Sequence, residues 1–359
     1  MSTKQRLISA DSHVTITDEA FIANVPKKHL AAAQAVIDDA KAAQANSPMP
    51  NNRAHRHWPA QGRPGDADQT ARLEDQDADG VDAEVLYSQS TFGFEGGLFY
   101  AMKDDAARNA CFSAYNDTLA QWIEAAPNRL IPVGIVPATS SEEGIAELER
   151  LVSLGFKAAT VPTYPKVYGI PSYWDPKYEG LWKTFAATRI PLSLHTAATP
   201  HFMEFVMDDP TPAKGIAQSL PPIHMAELIS GWILGGMVPN NPDLHIVLVE
   251  SGIGWISYYL ERLDTMQRRH NWGGRGMIKE KPSSYWRSQF HATFEDDIAG
   301  MRHIDLLGAE TLMFATDYPH PDSTWPESRD VVERHFSGVD DDIKQRIVWK
   351  NAADLYDIA

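Results

Sequence analysis

Short apolar runs alternate with longer stretches whose apolar positions recur at helical spacing. The runs fall at 7–10, 83–87, 131–136, 157–161, 191–195, 245–250, 289–293 and 312–316. They are rich in Val, Ile, Leu and Ala and read as strands buried on both faces. Helical patterns lie between them, at 104–125, 141–154, 175–188, 255–270 and 296–307. Strand and helix in strict alternation call for parallel βα units. Eight strands predict an α/β fold of the closed (β/α)8 TIM-barrel type, with 289–293 the weakest strand. An open doubly wound sheet is the alternative, but no glycine-rich phosphate fingerprint follows the first strand.

The connections are uneven. Between strands one and two lies a stretch far longer than the usual loop of about 2–6 residues. It holds a helical pattern at 28–43, then Asn46-Ser47-Pro48-Met49-Pro50 and His57-Trp58-Pro59. The chain therefore reads as one domain over 1–359, with a helix and loop inserted at about 25–70 over one face of the barrel. A second long connection covers 196–242. Val136-Pro137, Val161-Pro162, Thr199-Pro200 and Tyr318-Pro319 follow strands three, four, five and eight, and proline there ends pairing.

Composition narrows the class. Hydrophobic residues make up 43% of the chain and the formal net charge is −16. A globular core follows, and a nucleic-acid or anionic-membrane partner is disfavoured by repulsion. No apolar run approaches the ~20 residues of a membrane span, and no signal-peptide pattern opens the chain, so the expected location is cytoplasmic. Cys111 is the only cysteine, which excludes an intramolecular disulfide or a thiolate-rich metal site. Its amphipathic setting marks it as core.

Candidate chemistry gathers at strand ends. Ala10-Asp11-Ser12-His13 ends the first strand, and Ala315-Thr316-Asp317-Tyr318-Pro319-His320 ends the eighth. Asp11 and His13 are two apart and share a side of an extended strand. His195 ends strand five. A barrel brings these ends into one mouth, so Asp11, His13, His195 and Asp317 form a candidate site for a divalent ion: zinc, manganese or iron. Glu250, ending strand six, is a candidate acid or base, or a further ligand. A structural alternative pairs it with a cation such as Arg262. His320 is either a ligand or a substrate contact. One ion is the primary reading; Glu250 and His320 would allow two. His291 on strand seven, Trp325 beyond strand eight and Trp58 in the insertion are candidate substrate-binding residues.

These motifs resemble the amidohydrolase superfamily, in the branch that contains aminocarboxymuconate-semialdehyde decarboxylase and γ-resorcylate decarboxylase. The resemblance extends through Arg72-Leu73, Asp79-Gly80-Val81-Asp82-Ala83-Glu84, Leu194-His195, Glu250-Ser251-Gly252, the Asp317 motif and Asn351-Ala352. It implies a barrel with a divalent ion at Asp11, His13, His195 and Asp317, and a homodimer. Two departures stand out. The first motif begins with Asp11 where the family more often has His or Glu, and Glu250 stands where family decarboxylases usually carry a histidine.

The leading expectation is a metal-dependent hydrolase or non-oxidative decarboxylase. Its substrate is a small organic acid, amide, lactone or aromatic, with Asp317 and Glu250 as the catalytic groups. The missing histidine tilts this toward hydrolysis. The alternatives are an O2-dependent oxygenase with two iron or manganese ions, and a non-catalytic barrel subunit.

Overall fold

The computed structural model describes residues 5–45, 60, 62–89, 92, 93, 95–196, 216, 219–273 and 278–359. Eight strands form one sheet in sequential order: β1 Ile8–Val14, β2 Ala83–Ser88, β3 Leu130–Ile135, β4 Ala158–Thr160, β5 Leu192–His195, β6 Ile246–Val249, β7 Phe290–Phe294 and β8 Leu312–Phe314. Every adjacent pair from β1 to β8 is parallel. The circle closes just beyond β8, where Asp317 N–H donates to Asp11 O at 3.0 Å and His13 N–H donates to Tyr318 O at 2.7 Å. This is the expected (β/α)8 barrel.

Alternation along the strands sorts side chains into two cores. Ile8, Ala10, Ala83, Val85, Ile131, Val133, Ala158, Val247, Val249 and Met313 fill the barrel interior. Leu86, Ile135, Leu192, Leu194, Ile246, Leu248, Phe290, Phe294, Leu312 and Phe314 face the surrounding helices. The C-terminal helix Asn351–Tyr356 packs against the interior cluster through Ala352, Ala353 and Tyr356.

The helices start and stop where their end residues dictate. Asp104, Ser140 and Asp68 accept backbone N–H bonds at the starts of helices Asp105–Trp122, Ser141–Ser153 and Gln69–Asp79. Gly80 ends the last of these at φ +74°, a left-handed cap that glycine adopts without steric cost. Two helical expectations are corrected. The 296–307 pattern is two short helices, Ile298–Met301 and Ile304–Leu307. In addition, helix Asp18–Asn24 lies unforeseen between β1 and the insertion helix, Leu30–Ala45.

β1 carries the chief departure from its expected course. It was expected to end before Asp11, yet it runs on to Val14. Ser9 pairs with Glu84 and Ser12 with Leu86, so β1 has one extra residue, a bulge. Ala10 belongs to the interior cluster; after the bulge, Asp11 and His13 take over the inward positions. Ser12 instead turns to Ser9 and Thr316, its Oγ lying 3.2 Å and 3.3 Å from theirs.

Candidate metal centre

The strand ends converge on one buried cluster. Asp11, His13 and Asp317 are fully buried and His195 is nearly so. His13 Nε2 lies 3.1 Å from Asp317 Oδ1 and 3.6 Å from Asp11 Oδ1. His195 Nε2 lies 3.8 Å from Asp11 Oδ1 and 3.7 Å from Glu250 Oε2. One potential ligand atom from each of Asp11, His13 and His195 falls within 4.8 Å of the others; the same holds for His13, Asp317 and His320. The four expected ligands and both further candidates thus share one mouth. The two triads have His13 in common, so they describe overlapping positions.

Local geometry aims each group. His195 Nδ1 lies 2.9 Å from Thr196 O, so Nδ1 carries the proton and the Nε2 lone pair faces the cluster. Thr316 N–H donates to Ser9 Oγ at 2.8 Å, tying the eighth strand end to the first. Asp317 keeps the inward parity of Met313. Glu250 follows inward Val249 and would point outward by simple alternation. Its backbone is left-handed at φ +52°, which turns it back to the mouth, and its N–H donates to Thr293 Oγ1 at 2.8 Å. Asp317 is also left-handed, at φ +51°. Such a backbone costs a non-glycine residue about 1–2 kcal/mol and often marks a working site. The alternative partner Arg262 is not used; among the described residues the ion contact of Glu250 is with His195.

Charge is crowded here. Burial, then Asp317 and Glu295, raises the Asp11 pKa well above its usual value. Burial, then Asp317 and Asp11, does the same to Glu250. Burial also works upward on Asp317, but His320 and His13 outweigh it and hold this carboxyl low. Burial pushes His195 down to about 4 and His13 well down, so both rings are neutral at pH 7 and free of a charge that would repel a cation. His320 goes the other way. Burial opposes its charge, but Asp317, Asp66 and Asp322 raise it. Its Nδ1 lies 2.9 Å from Asp317 Oδ1, and its ring stacks on His13 at 3.7 Å.

Both carboxylate oxygens of Asp11 and Oδ2 of Asp317 are buried without a hydrogen-bond partner. Buried, unsatisfied carboxylate oxygens beside neutral imidazoles fit a divalent cation, which would supply the missing charge and bonds. Mixed nitrogen and oxygen donors suit manganese, zinc or iron.

The remaining candidates are placed differently. His291 has the inward parity of Thr293 but the wrong depth. It is the second residue of β7 and pairs with His245, Nε2 to Nδ1 at 3.1 Å, beside a cavity of about 400 Å³ lined also by Asp243, Glu310 and Arg346. It sits at the N-terminal opening, about 13 Å along the strand from the mouth at ~3.3 Å per residue, so a substrate contact is excluded. The same face of β7 reaches the mouth at Glu295, which sequence reading missed. Burial, then Asp317 and Asp322, raises the Glu295 pKa well above normal. Extending strand seven by two residues would have found it. Trp325 is a buttress and not a pocket wall: its indole N–H donates to Asp75 O at 3.1 Å, and Arg63 lies 4.4 Å from its ring centre. Trp58 lies outside the described residues. Cys111 is buried, its thiol pushed up to about 12 by desolvation, in keeping with a core role.

Arg72 was noted only as part of a motif. It is fully buried, its Nε lies 3.3 Å from Glu84, it donates to the carbonyl of His13, and its guanidinium lies 4.4 Å from the Tyr318 ring centre. One cation thus braces the ends of the first and eighth strands from behind.

Comparison with known proteins agrees with the barrel fold. A family model described as amidohydrolase matches residues 53–358. A γ-resorcylate decarboxylase from Rhizobium sp. is 25% identical over 262 residues, 70% of this chain and 76% of the relative. The solved structure of 5-carboxyvanillate decarboxylase from Sphingomonas paucimobilis superimposes with a TM-score of 0.74 at 23% identity, covering 99% of this chain and 100% of that one. A dihydroxybenzoic acid decarboxylase from Polaromonas sp., solved with manganese and the inhibitor 2-nitroresorcinol, gives a TM-score of 0.67 at 22% identity, covering 99% and 97%.

Proposed function

The chain belongs to the amidohydrolase family, and on that premise we propose that it is a divalent-metal-dependent carboxy-lyase. Its substrate would be a small aromatic or unsaturated acid bearing an oxygen next to the carboxylate. The observation that carries this is the buried Asp11–His13–His195–Asp317 cluster with its unsatisfied carboxylate oxygens, open to a partly exposed acid, Glu250. A divalent ion held there, manganese by likeness to the Polaromonas enzyme, would supply positive charge to the substrate carboxylate and its neighbouring oxygen.

Glu250 is the proton donor in this reading. Burial, then Asp317 and Asp11, raises its pKa and so shifts it toward the protonated form. It gives its proton to the carbon that carries the carboxylate; the bond to the carboxyl group then breaks, its electron pair restores the ring or double bond, and carbon dioxide leaves. Glu250 recovers a proton from water. His320, bonded to Asp317 and stacked on His13, keeps the Asp317 carboxylate ionised. The tilt toward hydrolysis loses its basis, because a carboxylic acid at the end of strand six can do the work of the absent histidine, and the relatives named above are decarboxylases.

The test is carbon dioxide release from 2,6-dihydroxybenzoate and 5-carboxyvanillate by manganese-loaded protein in D2O. One deuterium should appear at the vacated carbon, and His195→Ala should lose metal and activity together. Hydrolysis of esters or amides without carbon dioxide release would overturn the reading. The presence of Glu250 and His320 at the same mouth as the four expected ligands is the observation that favours two ions, because the two triads share His13 and by themselves describe overlapping positions. Two ions per chain by elemental analysis, falling to one in Glu250→Gln, would support that reading over the mononuclear one.

A further inference from the structure

Behind His195 lies a contact set with one proton too few. Thr163 Oγ1 lies 2.8 Å from the backbone carbonyl of His195 and in close contact with Glu95 Oε1, while Thr163 N–H donates to the same Glu95 oxygen at 2.7 Å. A threonine hydroxyl has a single proton. Were Glu95 ionised, both neighbours of that hydroxyl would be acceptors and one contact would lack a hydrogen. A proton on Glu95 completes the chain: Glu95 O–H donates to Thr163 Oγ1, and Thr163 O–H donates to the His195 carbonyl.

We propose that Glu95 works as a protonated positioning residue, holding the end of β5 through Thr163 so that His195 Nε2 stays aimed at the ion. The inference rests on His195 being a metal ligand. His195 is the last residue of β5. The backbone beyond it is held on one side by Thr196 N–H to Val249 O at 3.0 Å, and the His195 carbonyl is held on the other by Thr163. Outer partners of this kind fix ligand direction and set metal affinity.

The surroundings suit a neutral acid. Glu95 is 3% exposed. The titratable groups that sense it are phenols: Tyr100 on helix Gly97–Ala101, Tyr164 and Tyr168 after β4, and Tyr173. Arg108 and Glu227 act on Tyr100 and Tyr164 in turn. Burial pushes the carboxyl up to about 8, with Thr163 pulling the other way.

Calorimetric titration of the metal-stripped full chain with Mn2+ at pH 7 tests this. His195→Ala should abolish tight binding. Glu95→Ala and Thr163→Val should each weaken binding about 10-fold or more. Thr163→Ser, which keeps the hydroxyl, should stay within about threefold of wild type, whereas Glu95→Gln, whose amide nitrogen can donate to Thr163 Oγ1 but cannot accept from Thr163 N–H, should fall between wild type and Glu95→Ala. Since both groups act in one chain, the Glu95→Ala/Thr163→Val double variant should bind no more weakly than either single. Wild-type affinity in Glu95→Ala, an equal loss in Glu95→Gln, or additive losses in the double variant would overturn the relay while leaving the metal site intact. Should Glu95→Ala not fold, the contrast of Thr163→Val with Thr163→Ser and Glu95→Gln decides alone. Unchanged binding in His195→Ala would instead remove the metal reading, and the relay with it.

Discussion

Replacing Asp11 with Asn should change sign in its effect on stability according to whether a divalent ion is bound. Both Asp11 oxygens are buried without hydrogen-bond partners, and burial, Asp317 and Glu295 all oppose its ionisation. In metal-stripped protein at pH 8 the carboxylate is therefore a burden, and a neutral isostere should raise the melting temperature. With Mn2+ the order reverses. At a free ion concentration 100 times Kd, binding adds about 2.7 kcal/mol to the wild type. If losing this ligand's charge weakens binding about 100-fold, as much as the loss of even an outer partner can cost, the variant gains only about 0.4 kcal/mol under the same conditions. For a chain of 359 residues, an unfolding entropy of about 2.1 cal/mol/K per residue gives about 0.75 kcal/mol/K. Mn2+ should then raise the wild-type melting temperature by about 4 °C and that of Asp11→Asn by less than about 1 °C. Scanning calorimetry of EDTA-stripped and reloaded protein measures both shifts. A stripped variant that melts below stripped wild type, or equal shifts with Mn2+, would refute the assignment of Asp11 as a crowded ligand.

Other outcomes follow from the same geometry. Glu250→Gln should lower kcat about 100-fold or more with metal content retained in the one-ion form, since it removes a donated proton and not the ligand set; loss of metal in proportion to activity would instead make Glu250 a ligand. His291→Asn should leave kcat/KM within about twofold, because His291 sits at the far opening of the barrel; a large loss in steady-state kinetics would contradict that placement. Arg72→Met should destabilise the fold by about 3–5 kcal/mol in urea titrations, because it leaves buried Glu84 without its cation; a loss below about 1 kcal/mol would make the pair dispensable. Glu95 sets a pH dependence. Its carboxyl moves from an ordinary 4.5 to about 8 on folding, so the folded state holds the proton that the unfolded state releases. Stability relative to Glu95→Gln is highest below about pH 4.5 and falls by about 1.4 kcal/mol per pH unit until about pH 8. Denaturation at pH 6 and pH 8 should show wild type losing about 2 kcal/mol more than Glu95→Gln, and equal losses would place the charged form in the core.

The strand frame was legible because period and burial agree: each of the eight apolar runs corresponds to an observed strand within a few residues. Asp11, His13, His195 and Asp317 were legible because they end such runs, and the barrel converts strand ends into neighbours whatever their separation in sequence. Depth was harder to read than parity. His291 and Glu295 share one face of β7, and only the position of the strand end decides which of them reaches the mouth; ending that strand at residue 293, two short of Glu295, left the wrong residue as the candidate. Local irregularities were harder still. The bulge in β1 and the left-handed backbone at Glu250 each reverse the side a residue would face by alternation, and neither has a sequence signature beyond the polar residues at Asp11-Ser12-His13 and the Ser251-Gly252 pair. Partners such as Arg72 and Glu95 lie beyond that reach altogether, because Arg72 touches a backbone carbonyl far away in the chain and Glu95 reaches one only through Thr163. A single sequence therefore identifies the groups able to hold an ion more readily than the groups that would keep them in place.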